Sequence, residues 1–236
     1  MCNMLLSGIQ PFTLIDYPGK TACIVFTGGC NFRCGYCHNP EFVLPERLAE
    51  LKGSFIPPDA FFNFLRTRQG LLDGVVVSGG EPTMMPDLLT FLGHIKFLGF
   101  SVKLDTNGNR PDIVKEAIAR GLIDYVAMDF KTSLAEYQTL VGNRADPKKI
   151  AESVQILKSG IIEYEFRSTL IKQVHPEETI SQMQAELAGA KNLYLQTFRP
   201  ATTLNPIFQS YTPFSSDEMS AIAAKFRPVI HNVFIR

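Results

Sequence analysis

The chain has 236 residues, of which 45% are hydrophobic and 19% are charged, a composition that excludes a disordered or low-complexity protein. Its 23 basic and 23 acidic residues give a net charge of +0, so neither nucleic acid nor an anionic membrane is the expected partner. No run approaches the ~18 apolar residues of a membrane span. Met1–Gly19 lacks the basic start and continuous apolar segment of a secretion signal, so we expect a cytoplasmic protein.

Short runs rich in β-branched and aromatic residues alternate along the chain with longer stretches of helical periodicity. The predicted strands are Ala22–Thr27, Gly74–Ser78, Ser101–Thr106, Asp124–Phe130, Tyr164–Ile171, Leu193–Phe198 and Asn232–Ile235. The predicted helices are Pro58–Gln69, Pro86–Leu98, Pro111–Arg120, Lys148–Ser159, Glu177–Ala188 and Ser215–Phe226. Gly121 and Gly160 follow two of these helices and are predicted to end them.

This strand–helix order predicts an α/β fold with a parallel sheet and helices on its outer face. The six or seven units are too few for an eight-fold barrel but suffice for a partial (β/α)6 TIM-like barrel. No Pro/Gly/Ser-rich linker divides the chain, so we expect one domain over residues 1–236. Unusual clusters follow the first four predicted strands, and chemistry in this architecture collects at that edge of the sheet.

The first of these clusters contains three cysteines, Cys30, Cys34 and Cys37, in a C-x3-C-x2-C spacing. Three thiolates so close in sequence are suited to an iron–sulfur cluster, for which cysteine is the usual ligand. A fourth ligand is missing, because Cys23 lies inside an apolar strand and Cys2 at the terminus, and both are interpreted as ordinary residues. A cluster with three protein ligands leaves one iron open, which favours substrate or cofactor binding over electron carriage.

Other interpretations of the cysteines remain open. Cys30, Cys34, Cys37 and His38 supply the donors of a Cys3His zinc site, although His38 directly follows Cys37, unlike the usual gaps between zinc ligands. The run from Cys34 to His38 also matches the sequence pattern of c-type haem attachment. Cys34 and Cys37 alone match the spacing of a thioredoxin-like redox pair. Both of these leave Cys30 without a role.

The cysteine loop, with aromatic Tyr36 before its last cysteine, resembles the signature of the radical S-adenosylmethionine (SAM) superfamily. Within it, Asp16–Gly19 and Cys37–Pro40 resemble the activating enzymes of glycyl radical proteins, above all the activators of anaerobic ribonucleoside-triphosphate reductase and pyruvate formate-lyase. The resemblance is specific over about Gly8 to Lys131. It implies a radical SAM barrel in which the three cysteines hold a [4Fe-4S] cluster and SAM binds the open iron.

The same resemblance implies how the next loops contact SAM. Tyr36 would lie beside the adenine, Gly79-Gly80-Glu81 would bind the methionine amino group, and Asp105 and Asn107 would form an Asp-x-Asn element beside the cofactor. In some activators the aspartate also helps to bind a monovalent cation. The simpler alternatives are a packing role for Tyr36 and ordinary turns for the two loops.

Asp129 and Lys131 match the Asp-x-Lys of the activators, in which the lysine would neutralise the SAM carboxylate and the aspartate would balance the sulfonium. The alternative is a local ion pair, worth only ~0–1 kcal/mol if exposed. Arg167 lies inside a predicted strand and is expected to point toward the same cofactor. His38 corresponds to a family position that lies near the cluster. Arg199 corresponds to a position that is occupied by histidine in related activators. The role of both residues stays open.

The resemblance implies that an electron from a flavodoxin- or ferredoxin-type reductant cleaves SAM to methionine and a 5′-deoxyadenosyl radical. That radical would abstract hydrogen from a glycine Cα of a glycyl radical enzyme, with the reductase ahead of formate-lyase as the expected partner. No cysteine follows Cys37, so cysteine-bound auxiliary clusters are excluded. The alternatives are a radical SAM enzyme acting on a small molecule or another peptide, and a nonenzymatic iron–sulfur or zinc protein.

Overall fold

The computed structural model describes residues 4–51 and 53–236, and within them the chain forms eight strands and eight α-helices. The strands are β1 (Leu6–Thr13), β2 (Ala22–Thr27), β3 (Gly74–Gly79), β4 (Ser101–Thr106), β5 (Tyr125–Asp129), β6 (Glu163–Leu170), β7 (Asn192–Thr197) and β8 (Asn232–Ile235). The helices are α1 (Pro45–Glu50), α2 (Pro58–Arg66), α3 (Leu88–Phe97), α4 (Pro111–Ala119), α5 (Tyr137–Val141), α6 (Pro147–Lys158), α7 (Glu177–Leu187) and α8 (Ser216–Phe226). Cys2 lies outside the described residues.

The strands belong to one sheet and follow one another in chain order from β1 to β8. β2, β3 and β4 pair in parallel, as do β6, β7 and β8, whereas β1 pairs antiparallel with β2. The predicted α/β fold with a parallel sheet is therefore confirmed. All seven predicted strands and six predicted helices occur, with ends that differ by at most three residues. The sequence prediction missed β1 and the short helices α1 and α5.

The central strands owe their positions to continuous apolar runs. Val75, Val76 and Val77 of β3 are all buried, as expected of a parallel strand that is covered on both faces. In the register, Val25 of β2 pairs with Val77, and Val76 pairs with Lys103 of β4. The residues that follow these parallel strands therefore lie at the same edge of the sheet segment, the edge where the strands end.

Proline and glycine residues mark the ends of several helices, as their sequences predict. Pro58 occupies the first turn of α2, and Phe61 and Leu65, one turn apart, are fully buried. Gly121 and Gly160 adopt φ values of 64° and 75°, the left-handed conformation expected of a glycine that ends a helix. Among the described residues, no helix is long and apolar enough to cross a membrane.

The chain divides into two compact units, each built from several separate stretches of the sequence. One contains the described residues up to Asn31, with Glu41–Thr106 and Asp112–Val126. The other contains Phe32–Pro40, Asn107–Pro111 and Ala127–Arg236. The expectation of a single domain over residues 1–236 stays a prediction.

In the first unit, Asp16–Gly19 has a structural role. The Thr13 hydroxyl donates a hydrogen bond to the Asp16 carboxylate, and Thr13 pairs with Ala22 at the start of β2. Tyr17 is buried with its ring 6.0 Å from that of Tyr125. The motif therefore closes the β1–β2 connection and packs against the core at the opposite end of β2 from the cysteine loop.

Candidate active site

In the first unit, the chain passes very close to itself just before Cys30. A Cβ on Gly79 would lie 2.2 Å from the Thr27 nitrogen, and one on Gly80 would lie 2.1 Å from the Gly29 oxygen. Gly79 also has a φ of 117°, which L side chains rarely adopt. Packing alone thus requires both glycines, and their predicted contact with the SAM amino group stays a prediction.

Glu81 is buried next to these glycines, and its carboxylate joins the ends of two strands. Its Oε1 accepts hydrogen bonds from the Thr83 N–H at 3.1 Å and from the Thr106 hydroxyl at 2.8 Å. The first of these bonds caps a 3-10 turn at Pro82–Met84. Glu81 therefore organises the loop, and its predicted role as an acceptor for an ammonium group stays a prediction.

Asp105, at the end of β4, forms an ion pair that the sequence analysis missed. The Lys103 Nζ lies 2.7 Å from Asp105 Oδ1, and the Ser78 hydroxyl donates to Oδ2 at 2.9 Å. The Lys103 side chain is only 1% exposed, so its charge requires a close carboxylate. The signal was available in the sequence, because Lys103 stands two residues before Asp105 and so lies on the same face of the strand.

In the second unit, the residues after β4 form a tight turn. Asn107 Oδ1 accepts the Asn109 N–H at 3.0 Å. Gly108 has a φ of 77°, and a Cβ there would lie 2.2 Å from the Met128 Cε. The ordinary turn that Asp-Thr-Asn-Gly indicates is therefore present, and the predicted contact of Asn107 with SAM stays a prediction.

Asp129, Lys131 and Arg167 meet in the second unit. Asp129 accepts a hydrogen bond from Arg167 Nε at 2.8 Å through Oδ1 and lies 3.2 Å from Lys131 Nζ through Oδ2. Burial would raise the Asp129 pKa, but the guanidinium and the ammonium outweigh it and lower the pKa to about 2. Burial likewise opposes the charge on Lys131, yet Asp129 raises its pKa well above the ordinary value. Asp129 and Lys131 are therefore both ionised near neutral pH.

The end of the cysteine loop lies beside this ionic cluster. The Cys37 N–H donates to the Cys34 carbonyl at 2.9 Å, which places both cysteines on one turn. Lys131 Nζ lies 5.9 Å from the centroid of the buried Tyr36 ring. Burial raises the pKa of the Cys34 thiol to about 11, and the Lys131 charge opposes this rise. Lys131 therefore offsets part of the cost that burial places on the thiolate, which is the form that binds iron.

A segment after β7 holds the cysteine loop, and the sequence analysis missed it. The N–H groups of Leu204 and Asn205 donate to the carbonyls of Cys37 and Gly35, both at 2.9 Å. Phe208 packs on Gly35 so closely that a Cβ on the glycine would lie 2.1 Å from the ring. The one available signal was Gly35 itself, whose lack of a side chain admits the aromatic ring.

The remaining candidates lie in different environments. Cys30 follows β2 in the first unit and is partly exposed, whereas Cys23 is fully buried in β2, where burial raises its pKa to about 12. His38 is exposed, with its ring edge-on to that of Phe198 at 6.3 Å. Arg199, two residues after β7, is also exposed. The roles of His38 and Arg199 stay open.

The donor set has the chemistry that an iron–sulfur cluster requires. Three thiols stand within eight residues, and the Lys131 charge offsets part of the rise in the Cys34 pKa that burial causes. Over residues 4–51 and 53–236, no three His, Cys, Asp or Glu side chains are grouped as ligands of one metal ion. Metal and sulfide analysis decides between the cluster and the zinc alternative.

Comparison with known proteins gives relatives of one family. Residues 24–185 match the model of the Radical SAM superfamily. A Methanocaldococcus jannaschii protein, provisionally named a glycyl-radical enzyme activating enzyme, is 33% identical over 98% of this chain and 95% of its own. The pyruvate formate-lyase-activating enzyme of Streptococcus mutans is 36% identical over 43% of this chain and 39% of its own. The 7-carboxy-7-deazaguanine synthase of Thermococcus kodakarensis is 23% identical over 72% of this chain and 79% of its own.

Solved structures share the fold. Escherichia coli QueE superposes with a TM-score of 0.56 at 16% identity, covering 99% of this chain and 93% of its own. Streptococcus suis SuiB bound to S-adenosylmethionine superposes with a TM-score of 0.63 at 15% identity, covering 90% of this chain and 51% of its own. The family implies a [4Fe-4S] cluster and SAM, as the sequence analysis expected. The chain is a radical SAM enzyme and belongs to the Radical SAM superfamily.

Proposed function

We propose that this protein is a cytoplasmic activase that cleaves SAM reductively and generates a glycyl radical on a partner enzyme. Anaerobic ribonucleoside-triphosphate reductase is the first candidate partner, and a pyruvate formate-lyase-type enzyme is the second. A flavodoxin- or ferredoxin-type protein is the proposed electron donor. The observation that carries the proposal is the match to the M. jannaschii protein, which extends over nearly the whole of both chains.

Cys30, Cys34 and Cys37 would hold the cluster, which would supply the electron for the cleavage of SAM into methionine and a 5′-deoxyadenosyl radical. Lys131 contributes the positive charge that a SAM carboxylate requires. Its ammonium carries three N–H donors. Among the described residues one of these donors is directed to Asp129, which leaves two for an incoming anion.

Asp129 orients that ammonium and is itself oriented by Arg167. Because Lys131 and Arg167 pair with the same carboxylate, the Lys131 side chain is held toward Asp129 before any ligand arrives. It therefore loses little conformational entropy when a ligand binds. Cofactor contacts are also proposed for Tyr36, Gly79, Gly80, Glu81, Asp105 and Asn107. A monovalent cation is not included, because the Lys103 ammonium already faces Asp105.

The alternative function is a radical SAM reaction on a small molecule or another peptide. The observation in its favour is the similarity to the 7-carboxy-7-deazaguanine synthase, which spans 72% of this chain although at only 23% identity. The two functions differ in what stimulates SAM cleavage. A protein partner does so in the first, and a small molecule does so in the second.

The test measures 5′-deoxyadenosine formed by the reconstituted protein with dithionite, with and without an anaerobic ribonucleoside-triphosphate reductase. The expected result is stimulation by the reductase and loss of all cleavage in Cys34→Ala. Lys131→Met should weaken SAM binding about tenfold or more with the iron content unchanged. Lys191→Met is the matched control, because Lys191 forms an exposed ion pair with Glu163. Stimulation by a small molecule but by no glycyl radical enzyme would establish the alternative.

A further inference from the structure

The backbone of Lys131 is held by two side chains from other elements. Its N–H donates to the Tyr137 hydroxyl at 2.9 Å, and its carbonyl lies 2.9 Å from the His175 Nε2. Tyr137 begins α5, and His175 lies just before α7. Lys131 stands two residues beyond the end of β5, so side chains replace the strand partners that its backbone would otherwise need.

The residue before Lys131 is held in a different way. The Phe130 N–H donates to the Arg167 carbonyl at 2.8 Å, and its carbonyl accepts the Ser168 hydroxyl at 2.6 Å. Both partners belong to β6. The backbone from Phe130 to Lys131 is therefore bonded at every N–H and carbonyl group, and Tyr137 and His175 supply the last two bonds.

The second ring nitrogen of His175 establishes the direction of its hydrogen bond. Nδ1 accepts the Ile171 N–H at 3.0 Å, so Nε2 carries the proton and donates it to the Lys131 carbonyl. The side chain is 1% exposed, and burial lowers the pKa of His175, which keeps the ring neutral. The imidazole thus connects the end of β6 to Lys131 in one tautomer.

Tyr137 connects the same backbone to the cysteine loop. Its ring is fully buried, with its centroid 6.4 Å from that of Phe32 and 5.8 Å from that of Phe130, edge-on in both cases. Its hydroxyl accepts the Lys131 N–H and donates to the Asp129 carbonyl at 3.5 Å. A shift of this ring would therefore move Lys131 relative to the residues that follow Asn31 in the loop.

We propose that Tyr137 and His175 are positioning residues for SAM binding, which hold the Lys131 backbone so that its ammonium stays beside Asp129 and meets the SAM carboxylate. This inference rests on the function proposed above for Lys131. Neither residue carries charge to the cofactor. Each acts through a hydrogen bond to a main-chain group of Lys131.

Two pairs of variants separate positioning from general stability. Tyr137→Phe removes the hydroxyl and keeps the ring, and Tyr164→Phe is its matched control. Tyr164 is also buried, and its hydroxyl accepts a backbone N–H, that of Lys191, at 2.9 Å. His175→Gln keeps a donor near the Nε2 position, whereas His175→Asn keeps only the acceptor near Nδ1.

The first measurement is hydrogen exchange at the Lys131 amide in the metal-free protein, and the second is the SAM dissociation constant of the reconstituted protein. We expect Tyr137→Phe to speed exchange, and both Tyr137→Phe and His175→Asn to weaken SAM binding about tenfold at unchanged iron content. Tyr164→Phe and His175→Gln should stay within about twofold of the wild type.

Three results would overturn the inference. One is equal weakening by Tyr164→Phe, which would reduce the effect to stability. Another is unchanged affinity in Tyr137→Phe and His175→Asn while Lys131→Met binds SAM poorly. The third is an unchanged affinity of Lys131→Met for SAM, a result that would show that Lys131 has no role in SAM binding. Stimulation of SAM cleavage by a partner protein is scored separately in the wild type, so failure of the activase function is distinguishable from each of these.

Discussion

The contact between Gly35 and Phe208 predicts that a single added methyl group will disturb the cysteine loop. In Gly35→Ala the new Cβ would lie 2.1, 2.7 and 2.8 Å from three atoms of the Phe208 ring. Carbon atoms in contact normally stay about 3.5–4.0 Å apart, so the ring must retreat by about 1.5 Å. Overpacking of this kind costs about 1–3 kcal/mol. Both residues adjoin backbone hydrogen bonds that hold the loop, so the cluster should also be affected.

The assay is denaturant unfolding of the metal-free, reduced protein, combined with the rate at which a chelator removes iron after reconstitution. Gly35→Ala should lower the free energy of unfolding by about 1–3 kcal/mol and speed iron loss. In a Phe208→Ala background the same change should cost less than about 0.5 kcal/mol, because the clash is gone. Gly53→Ala is the control, since its Cβ would have no neighbour within 4 Å. Equal effects of Gly35→Ala in both backgrounds would refute the reasoning.

Three further predictions concern single groups. Cys34→Ala should abolish the binding of about four irons with matching sulfide, whereas Cys23→Ala should keep the iron and cost only about 1 kcal/mol of stability. Replacing potassium by tetramethylammonium should change SAM affinity by less than about twofold, because Lys103 already lies 2.7 Å from Asp105; a tenfold loss would contradict this. Burial lowers the pKa of His175 in the folded protein, so on acidification the unfolded chain binds the proton first. The free energy of unfolding should therefore decrease as the pH is lowered past about 6.5, by at most ~1.4 kcal/mol per pH unit. His175→Gln should remove that part of the loss, measured by unfolding at pH 7.5 and 5.5.

Most of the sheet could be predicted because buried parallel strands are continuous apolar runs, as in Val75–Val77. The strand β1 was not predicted because Gly8 and Pro11 interrupt its pattern and because, at the edge of the sheet, only its two end residues are buried. The helices α1 and α5 are only six and five residues long, too short to show a helical period.

The ionic part of the site could also be predicted, because alternation along a strand places Asp129 and Lys131 on one side. Arg167 was expected near the same place and lies 2.8 Å from Asp129. Tyr137 and His175 could not be predicted, since each acts through a main-chain group of another element. Their contacts depend on how the chain folds back, which no local pattern reports.

The proposed reaction moves hydrogen from a protein glycine to the SAM-derived carbon. The most direct measurement uses a partner reductase labelled with α,α-dideuterated glycine, mixed with the reconstituted protein, SAM and dithionite without oxygen. The expected result is deuterium in 5′-deoxyadenosine, together with a glycyl radical whose doublet in unlabelled partner collapses toward a single line in the labelled one. Unlabelled 5′-deoxyadenosine and no partner radical, with cleavage stimulated by a small molecule instead, would contradict it.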